Sequence, residues 1–195
     1  MTKISFSRLR VILIDRDGVI NHEPGPILNP DQFVMIPGSA DAVAKINAKG
    51  WKCFVITNQA AIARGELSED VFEQITNKMH LELNKSGAQI DGQYFCPHHP
   101  DWKNGRMRKN PVSCLCRKPG IRMLEQASSE HGFVPEEAVF IGDTTTDFAA
   151  ASDWGTFSIG VRTGWAGEDG KMSVFPDYWS DDLKSAVDFL LHNTA

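Results

Sequence analysis

Short runs of apolar residues, rich in β-branched side chains, alternate along this chain with segments of helical periodicity. Each run is apolar throughout, which is typical of a strand covered on both faces. The pattern predicts a parallel sheet with crossover helices, and therefore the α/β class. Gly50 and Ser68 are residue types that end and begin helices. The predicted strands are 11–14, 53–56 and 138–141, with weaker candidates at 93–95 and 157–161, and the predicted helices are about 39–49, from 68 onwards, 120–131, 147–153 and 181–192.

Size and composition favour one domain, over residues 1–195, that acts on a small molecule. With 195 residues and 42% hydrophobic content, the chain can bury a core without disulfides. Its formal net charge of −5 leaves no excess of Lys and Arg for a nucleic-acid backbone. The sequence has no export signal and no apolar stretch of membrane-spanning length. We therefore expect a cytoplasmic protein, monomeric, that binds neither nucleic acid nor a membrane.

Two carboxylates follow the first predicted strand, in the sequence Asp15-Arg16-Asp17-Gly18. In an open α/β sheet, active sites form at the carboxyl ends of the strands. Residues two apart project to the same side, so Asp15 and Asp17 can together serve one magnesium ion and one reacting group. Asp and Gly also make ordinary turns, and that alternative stays open from these residues alone.

Polar residues also follow the other two main strands. Thr57 and Asn58 end the second run, and Asp143 follows the third. Arg117 and Lys118 stand directly before a predicted helix, which is a position suited to anions. These residues also have simpler interpretations. Thr57 and Asp143 can cap or begin helices, and Arg117 and Lys118 can be surface charges. The convergence of three strand ends is what favours a site.

Four soft or borderline metal ligands bracket a polar loop at about 96–116. Cys96 and His98 precede the loop as Cys-x-His, and Cys114 and Cys116 follow it as Cys-x-Cys. This set suits tetrahedral Zn²⁺ with no open position, so the predicted zinc is structural and orders a loop that the chain cannot bury. Free thiols that merely cluster are the alternative, and His99 could replace His98.

In chain order, the sequences DRDG, ITN, RKP and IGDTTTD resemble the four motifs of the haloacid dehalogenase superfamily of phosphatases. The resemblance spans about residues 10–190 and implies a Rossmann-like doubly wound sheet with a minimal cap. It implies that Asp15 is the nucleophile and Asp17 the general acid and base of an aspartyl-phosphate mechanism. Thr57 and Lys118 would hold the phosphoryl group. A catalytic Mg²⁺ would be bound by Asp15, the backbone carbonyl of Asp17, and Asp143.

A narrower resemblance concerns the substrate. The spacing of the zinc loop, together with TNQAAIARG and CPHHP, is similar to the D-glycero-D-manno-heptose-1,7-bisphosphate 7-phosphatase family, within the histidinol-phosphate phosphatase-like subfamily. It implies hydrolysis of the bisphosphate to the 1-phosphate. Arg64, Arg117 and Lys118 would face the sugar bisphosphate, and Asn58 would orient it. One departure is Thr144, at a position where many relatives carry Lys.

Two alternatives stay open. A histidinol-phosphate phosphatase also carries a zinc loop, and HEPGP at 22–26 is similar to it. Its substrate has a cationic amine and no second anion for Arg64 to meet, which favours the sugar bisphosphate. From another class, the chain could be a non-catalytic phosphate- or metal-binding protein of the same fold. The stretch 164–178 is expected to be irregular and has no role assigned from its sequence.

Overall fold

The computed structural model describes residues 6–107 and 113–194 of the chain. The strands are β1 (Val11–Ile14), β2 (Lys52–Asn58), β3 (Gly92–Cys96), β4 (Trp102–Lys103), β5 (Arg106–Met107), β6 (Ala138–Gly142), β7 (Phe157–Val161) and β8 (Tyr178–Ser180). The α-helices are α1 (Ser39–Ala48), α2 (Ala60–Arg64), α3 (Glu69–Asn84), α4 (Arg122–His131), α5 (Thr145–Trp154) and α6 (Leu183–Asn193). Short 3-10 helices span Phe6–Arg8, Pro30–Gln32 and Pro135–Glu137.

Within the described ranges, six strands form one sheet in the order β3-β2-β1-β6-β7-β8. Every neighbouring pair is parallel, with Val11 opposite Lys52 on one side of β1 and opposite Ala138 on the other. The chain builds outward from β1 to β3, then returns to build outward from β6 to β8. The strand order therefore reverses between β1 and β6, which is where open α/β sheets bind their ligands. The predicted α/β, doubly wound parallel sheet is confirmed.

Helices cover both faces of this sheet. Ile12 and Ile14 of β1 pack into the apolar layer that includes residues of α1, α3 and α6. Val11 and Leu13 pack into the opposite layer, with residues of α4 and α5. Because successive strand side chains point to opposite faces, a strand buried on both sides has no polar position. This is why the run at 11–14 was visible in the sequence.

Most predicted elements are confirmed, with shifted ends. Residues 11–14 and 157–161 are strands at the predicted bounds, and the run at 53–56 extends to Asn58. Gly50 adopts a positive φ of 80° after α1, as a helix-ending glycine does. The Ser68 hydroxyl accepts a hydrogen bond from the Val71 N–H at 3.2 Å and caps α3. No helix in the described parts of the chain is long and apolar enough to cross a membrane.

Four small elements were missing from the prediction. Helix α2 has five residues and ends at Gly65, and strand β8 has three. The polar loop after β3 contains the two-residue strands β4 and β5, which pair antiparallel. Elements this short contain too few residues for a helical or alternating pattern to be read.

Candidate active site

The side chains predicted from the strand ends come together around one buried ammonium group. Asp15 directly follows β1, Thr57 lies near the end of β2, and Lys118 lies in the loop before α4. Lys118 is 2% exposed, and its Nζ donates to the Ile56 carbonyl at 2.7 Å and lies 2.9 Å from Asp15 Oδ2. A third acceptor, Asp147 Oδ1, lies at 2.7 Å. The ammonium therefore lies between one carbonyl oxygen and two carboxylates.

Asn58 fixes the main chain of Lys118 in this position. Its Oδ1 accepts from the Lys118 N–H at 3.0 Å, and its Nδ2 donates to the Lys118 carbonyl at 3.2 Å. Burial by itself lowers the pKa of Lys118, but the carboxylates of Asp147 and Asp15 raise it above its ordinary value. The ammonium therefore stays charged. Asn58 also lines the cavity above, and its predicted role in orienting a ligand stays a prediction.

Three buried carboxylates lie together here, and two of them contact this ammonium. One oxygen each of Asp15, Asp143 and Asp147 lies within 4.8 Å of the others. Burial raises the pKa of Asp15 to about 7, against the lowering effect of Lys118. Burial, together with Asp147 and Asp15, raises the pKa of Asp143 well above its ordinary value. When all three carboxylates are ionised, they exceed the charge of the ammonium by two, which suits a divalent cation.

Asp147 was not among the predicted site residues, because α5 was predicted to begin there. The helix begins earlier, at Thr145, and Thr144 is its N-cap. Asp147 therefore lies in the first turn, where its Oδ2 accepts from the Thr144 N–H at 3.0 Å and from the Thr144 hydroxyl at 2.7 Å. Its other oxygen is left for Lys118. The second acid of IGDTTTD was the available sequence signal.

Asp17 is held by a buried guanidinium group. Arg16 is fully buried and contacts Asp17 through Nε at 3.1 Å and through its terminal nitrogen at 2.8 Å. Asn21 and Gln59 donate to the same carboxylate at 3.0 and 2.8 Å. Burial alone would raise the pKa of Asp17, but Arg16 and these hydrogen bonds lower it below its ordinary value. Asp17 is therefore ionised in the free protein, and sequence reasoning gave no role to Arg16.

Cations from three parts of the chain line the cavity above these groups. Arg64 ends α2, Arg117 follows the predicted zinc loop, and Lys171 lies after β7. Arg64 Nε also pairs with Glu66 at 2.8 Å, and Arg117 donates to the His98 carbonyl at 3.3 Å. The predicted binding of substrate by Arg64 and Arg117 stays a prediction. Lys171 was missed because the stretch that carries it has no regular pattern.

The irregular stretch after β7 closes one side of this site. The Trp165 N–H donates to Asp143 Oδ2 at 2.7 Å, and the Gly167 N–H donates to the Asp143 carbonyl at 2.7 Å. The Asp169 carboxylate accepts from the Thr145 N–H at 2.9 Å, at the start of α5. These bonds fasten the 164–172 segment to the turn between β6 and α5. The segment is held by backbone hydrogen bonds rather than by an apolar pattern, so its sequence does not reveal its place.

The four predicted zinc ligands form a cluster beside the cavity. Cys116 Sγ lies 3.2 Å from both Cys96 Sγ and His98 Nδ1, and Cys114 Sγ lies 3.5 Å from both Cys96 Sγ and Cys116 Sγ. Ligands about 2.3 Å from a tetrahedral zinc stand about 3.7 Å apart, so the cluster needs little expansion to hold the ion. His99 lies outside the cluster, where its Nδ1 accepts from the Asp101 N–H at 3.1 Å.

The chain is similar to several known proteins. A family model described as HAD-hydrolase-like matches residues 115–186. The chain is 39% identical over 141 residues to a D-glycero-beta-D-manno-heptose-1,7-bisphosphate 7-phosphatase of Pasteurella multocida, covering 72% of this chain and 74% of that protein. It is 33% identical over 189 residues to a D-glycero-D-manno-heptose-1,7-bisphosphate 7-phosphatase of Thermosynechococcus vestitus, covering 94% of this chain and 96% of that protein.

A solved structure is also similar to this fold. It is that of D,D-heptose 1,7-bisphosphate phosphatase from B. bronchiseptica, complexed with magnesium and phosphate, and it matches with a TM-score of 0.84 at 28% identity, covering 94% of this chain and 99% of that one.

Proposed function

Because the chain belongs to the D-glycero-D-manno-heptose-1,7-bisphosphate 7-phosphatase family of haloacid dehalogenase-like phosphatases, we propose that it converts this bisphosphate to the 1-phosphate. The observation that carries the choice of a bisphosphate is the presence of two further cations beyond the one that contacts Asp15. Lys118 contacts Asp15, and Arg64 and Arg117 line the same cavity. A substrate with one phosphate at the reacting centre needs further cations only if it carries a second anion.

In the proposed reaction, a carboxylate oxygen of Asp15 attacks phosphorus and the bond to the sugar oxygen breaks. The product of this step is an aspartyl-phosphate, which water then hydrolyses. Lys118 and the Thr57 hydroxyl hold the phosphoryl oxygens. Thr57 Oγ1 accepts a hydrogen bond from Gln59 at 2.9 Å, which leaves its own O–H free to donate to phosphate.

We assign proton transfer to Asp17. It protonates the leaving sugar oxygen in the first step and takes a proton from the attacking water in the second. Arg16 keeps Asp17 ionised in the free protein, which is the form that the second step needs. Arrival of the phosphate dianion beside Asp17 raises its pKa, since a like charge disfavours the ionised form. This supplies the protonated form for the first step.

The residues fit a catalytic magnesium ion. One oxygen of Asp143, Oδ1, is buried and has no hydrogen-bond partner in the described part of the chain. The side chains of Asp15 and Asp143 and the backbone carbonyl of Asp17 would hold the ion, since Mg²⁺ prefers oxygen ligands. When bound, the ion supplies positive charge that offsets the repulsion between a carboxylate nucleophile and a phosphate ester.

We expect Arg64→Ala to reduce activity on the bisphosphate selectively. Loss of one charge-assisted hydrogen bond, about 1.5–3 kcal/mol, corresponds to a fall of about 10- to 100-fold in kcat/KM. The fall on heptose 7-phosphate, which lacks the second phosphate, should be smaller. Steady-state rates on both substrates and on histidinol phosphate test this.

Arg122→Ala is the matched control, because Arg122 is an exposed arginine of α4 that does not line the cavity. It removes the same charge and should leave the ratio of the two rates unchanged. If wild-type protein released phosphate from histidinol phosphate faster than from the heptose bisphosphate, the proposed substrate would be wrong.

We also propose that the cluster of Cys96, His98, Cys114 and Cys116 holds one structural zinc ion. The Cys114→Ser variant should lose its zinc and about 3 kcal/mol or more of stability, because a structural metal couples directly to folding. Metal analysis and thermal unfolding measure both. Cys53→Ala is the control, since Cys53 is a buried thiol outside the cluster and its variant should keep one zinc. A Cys114→Ser protein that retained a full equivalent of zinc would contradict the assignment.

The remaining proposals concern the protein as a whole. We propose that the chain is a single-domain monomer of the cytoplasm that binds neither nucleic acid nor membranes. The net charge of −5 supports the proposal that it does not bind nucleic acid, because the chain has no excess of cations for a polyanion.

A further inference from the structure

Trp165 is the one aromatic residue among the described residues that line the catalytic cavity. It is 51% exposed, whereas tryptophan is highly buried on average. Trp165 and Glu23 also line a shallow groove beside the cavity, together with Pro24, Gly25 and Gly164. A flat apolar side chain therefore stands at the boundary between the reacting centre and this groove.

This tryptophan is held firmly in place. Its N–H donates to Asp143 Oδ2 at 2.7 Å, and its carbonyl accepts from the Glu168 N–H at 2.8 Å. Burial and the nearby carboxylates of Asp17 and Asp15 raise the pKa of Glu23 to about 7, and a hydrogen bond from the Trp165 side chain, whose donor is the indole N–H, opposes that rise. A ligand would meet an indole that is already oriented, so little conformational entropy is lost on contact.

The two sides of the cavity differ in charge. A depression next to the cavity on the side of the zinc loop is lined by Arg117, Lys118 and Lys171. No cation is among the described residues that line the groove at Trp165 and Glu23. The phosphates of a sugar bisphosphate are drawn to the cations, which leaves the uncharged sugar for the other side. A sugar ring has an apolar face of C–H groups that packs on an aromatic face, while its hydroxyls suit polar partners at the edge.

Resting on the proposed function, we propose that the indole face of Trp165 packs against the sugar ring of the substrate, with Glu23 positioning the indole. Trp165 is then a residue that determines specificity, because it favours sugar phosphates over small phosphate compounds without a ring. It acts on the part of the substrate that does not react, through contact area rather than charge.

The test is the ratio of kcat/KM for the sugar bisphosphate to kcat/KM for acetyl phosphate, which has no ring. Trp165→Ala should lower this ratio by about 10-fold or more, since an aromatic side chain contributes a large apolar contact area. Trp165→Phe keeps an aromatic face and should retain most of the ratio. Glu23→Ala removes only the hydrogen-bond partner of the indole and should lower the ratio by less. Phe175→Ala, at an aromatic residue of the same stretch that is 82% exposed and does not line the cavity, should not change it.

Two outcomes would overturn the inference. If Trp165→Ala lowered both activities in parallel and raised the Mg²⁺ concentration needed for half-activation, the side chain would act only by placing the backbone at Asp143. If wild-type protein showed no preference for any sugar phosphate over acetyl phosphate, there would be no ring contact to explain. A wild-type preference for a different sugar phosphate would instead refute the proposed substrate alone, and the Trp165 variants would then be measured with that sugar.

Discussion

The Asp15→Asn variant should lose at least about 10⁴-fold in kcat on every phosphate ester, because a covalent mechanism has no substitute for its nucleophile. The amide keeps the size of the carboxylate and can still accept from Lys118, which lies 2.9 Å away. The chemistry is therefore removed while the fold is kept. Phosphate release in steady state measures the loss, and circular dichroism checks the fold.

The Asp15→Asn variant should also differ from the wild type in how its stability depends on pH. The pKa of Asp15 is raised from its ordinary 3.8 to about 7, so the folded state binds more protons than the unfolded state between these values. Stability contributed by the protonated form is consequently lost as pH rises through this window. Without magnesium at pH 8, Asp15→Asn should melt at or above the wild-type temperature, and the difference should shrink towards pH 4.

Asp153→Asn is the matched control, since Asp153 is exposed near the end of α5 and away from the cavity. It should keep wild-type rates and show no such dependence of melting temperature on pH. Substantial turnover by Asp15→Asn would refute the aspartyl-phosphate mechanism. A large loss of stability at pH 8 would contradict the conclusion that the ionised carboxylate is destabilising.

The largest expected effect on stability is that of Lys118→Met. This change keeps an apolar stem but removes the cation shared by Asp15 and Asp147. Breaking a buried ion pair by deleting one partner destabilises a protein by about 3–5 kcal/mol, because the other charge is left uncompensated. Activity should fall by at least about 10²-fold, as when a preorganised donor to the transition state is lost. Chemical denaturation and steady-state rates measure the two effects.

Two further variants separate charge from packing. The double variant Lys118→Met, Asp147→Asn also removes one of the two carboxylates left without a counter-charge. It should therefore recover part of the stability that Lys118→Met loses, but none of the activity. Lys78→Met is the control at a lysine whose side chain is 41% exposed and pairs with Glu82 at 2.9 Å, where the loss should be about 0–1 kcal/mol. If Lys118→Met were no less stable than Lys78→Met, the ammonium would not be holding the carboxylates together.

The sequence predicted the central fold well and its margins poorly. β1 and β7 were predicted at their observed bounds, and β1 was the clearer of the two because a strand covered on both faces carries no polar residue. α2 and β8 were not predicted, since five and three residues are too few for a periodic pattern. The start of α5 was placed two residues late, and this removed Asp147 from the predicted site.

The meeting of Asp15, Thr57, Lys118 and Asp143 could be predicted for a topological reason. Parallel strands deliver their carboxyl ends to one edge of a sheet, so residues just after apolar runs meet whatever their separation in sequence. The cluster of three Cys residues and one His was predictable for a different reason, because residue type and spacing are local properties.

By itself, the sequence determined the α/β class, the edge of the sheet at which the candidate site lies, and the identities of the Cys and His residues brought together beside it. Only the tertiary structure decided that Lys118 is shared by Asp15 and Asp147, that Arg16 turns back onto Asp17, and that Trp165 is fixed against Asp143. Apolar runs and the spacing of Cys and His residues can be read directly from the order of residues along the chain. The second group depends on individual hydrogen bonds and side-chain directions, which exist only once the elements have packed.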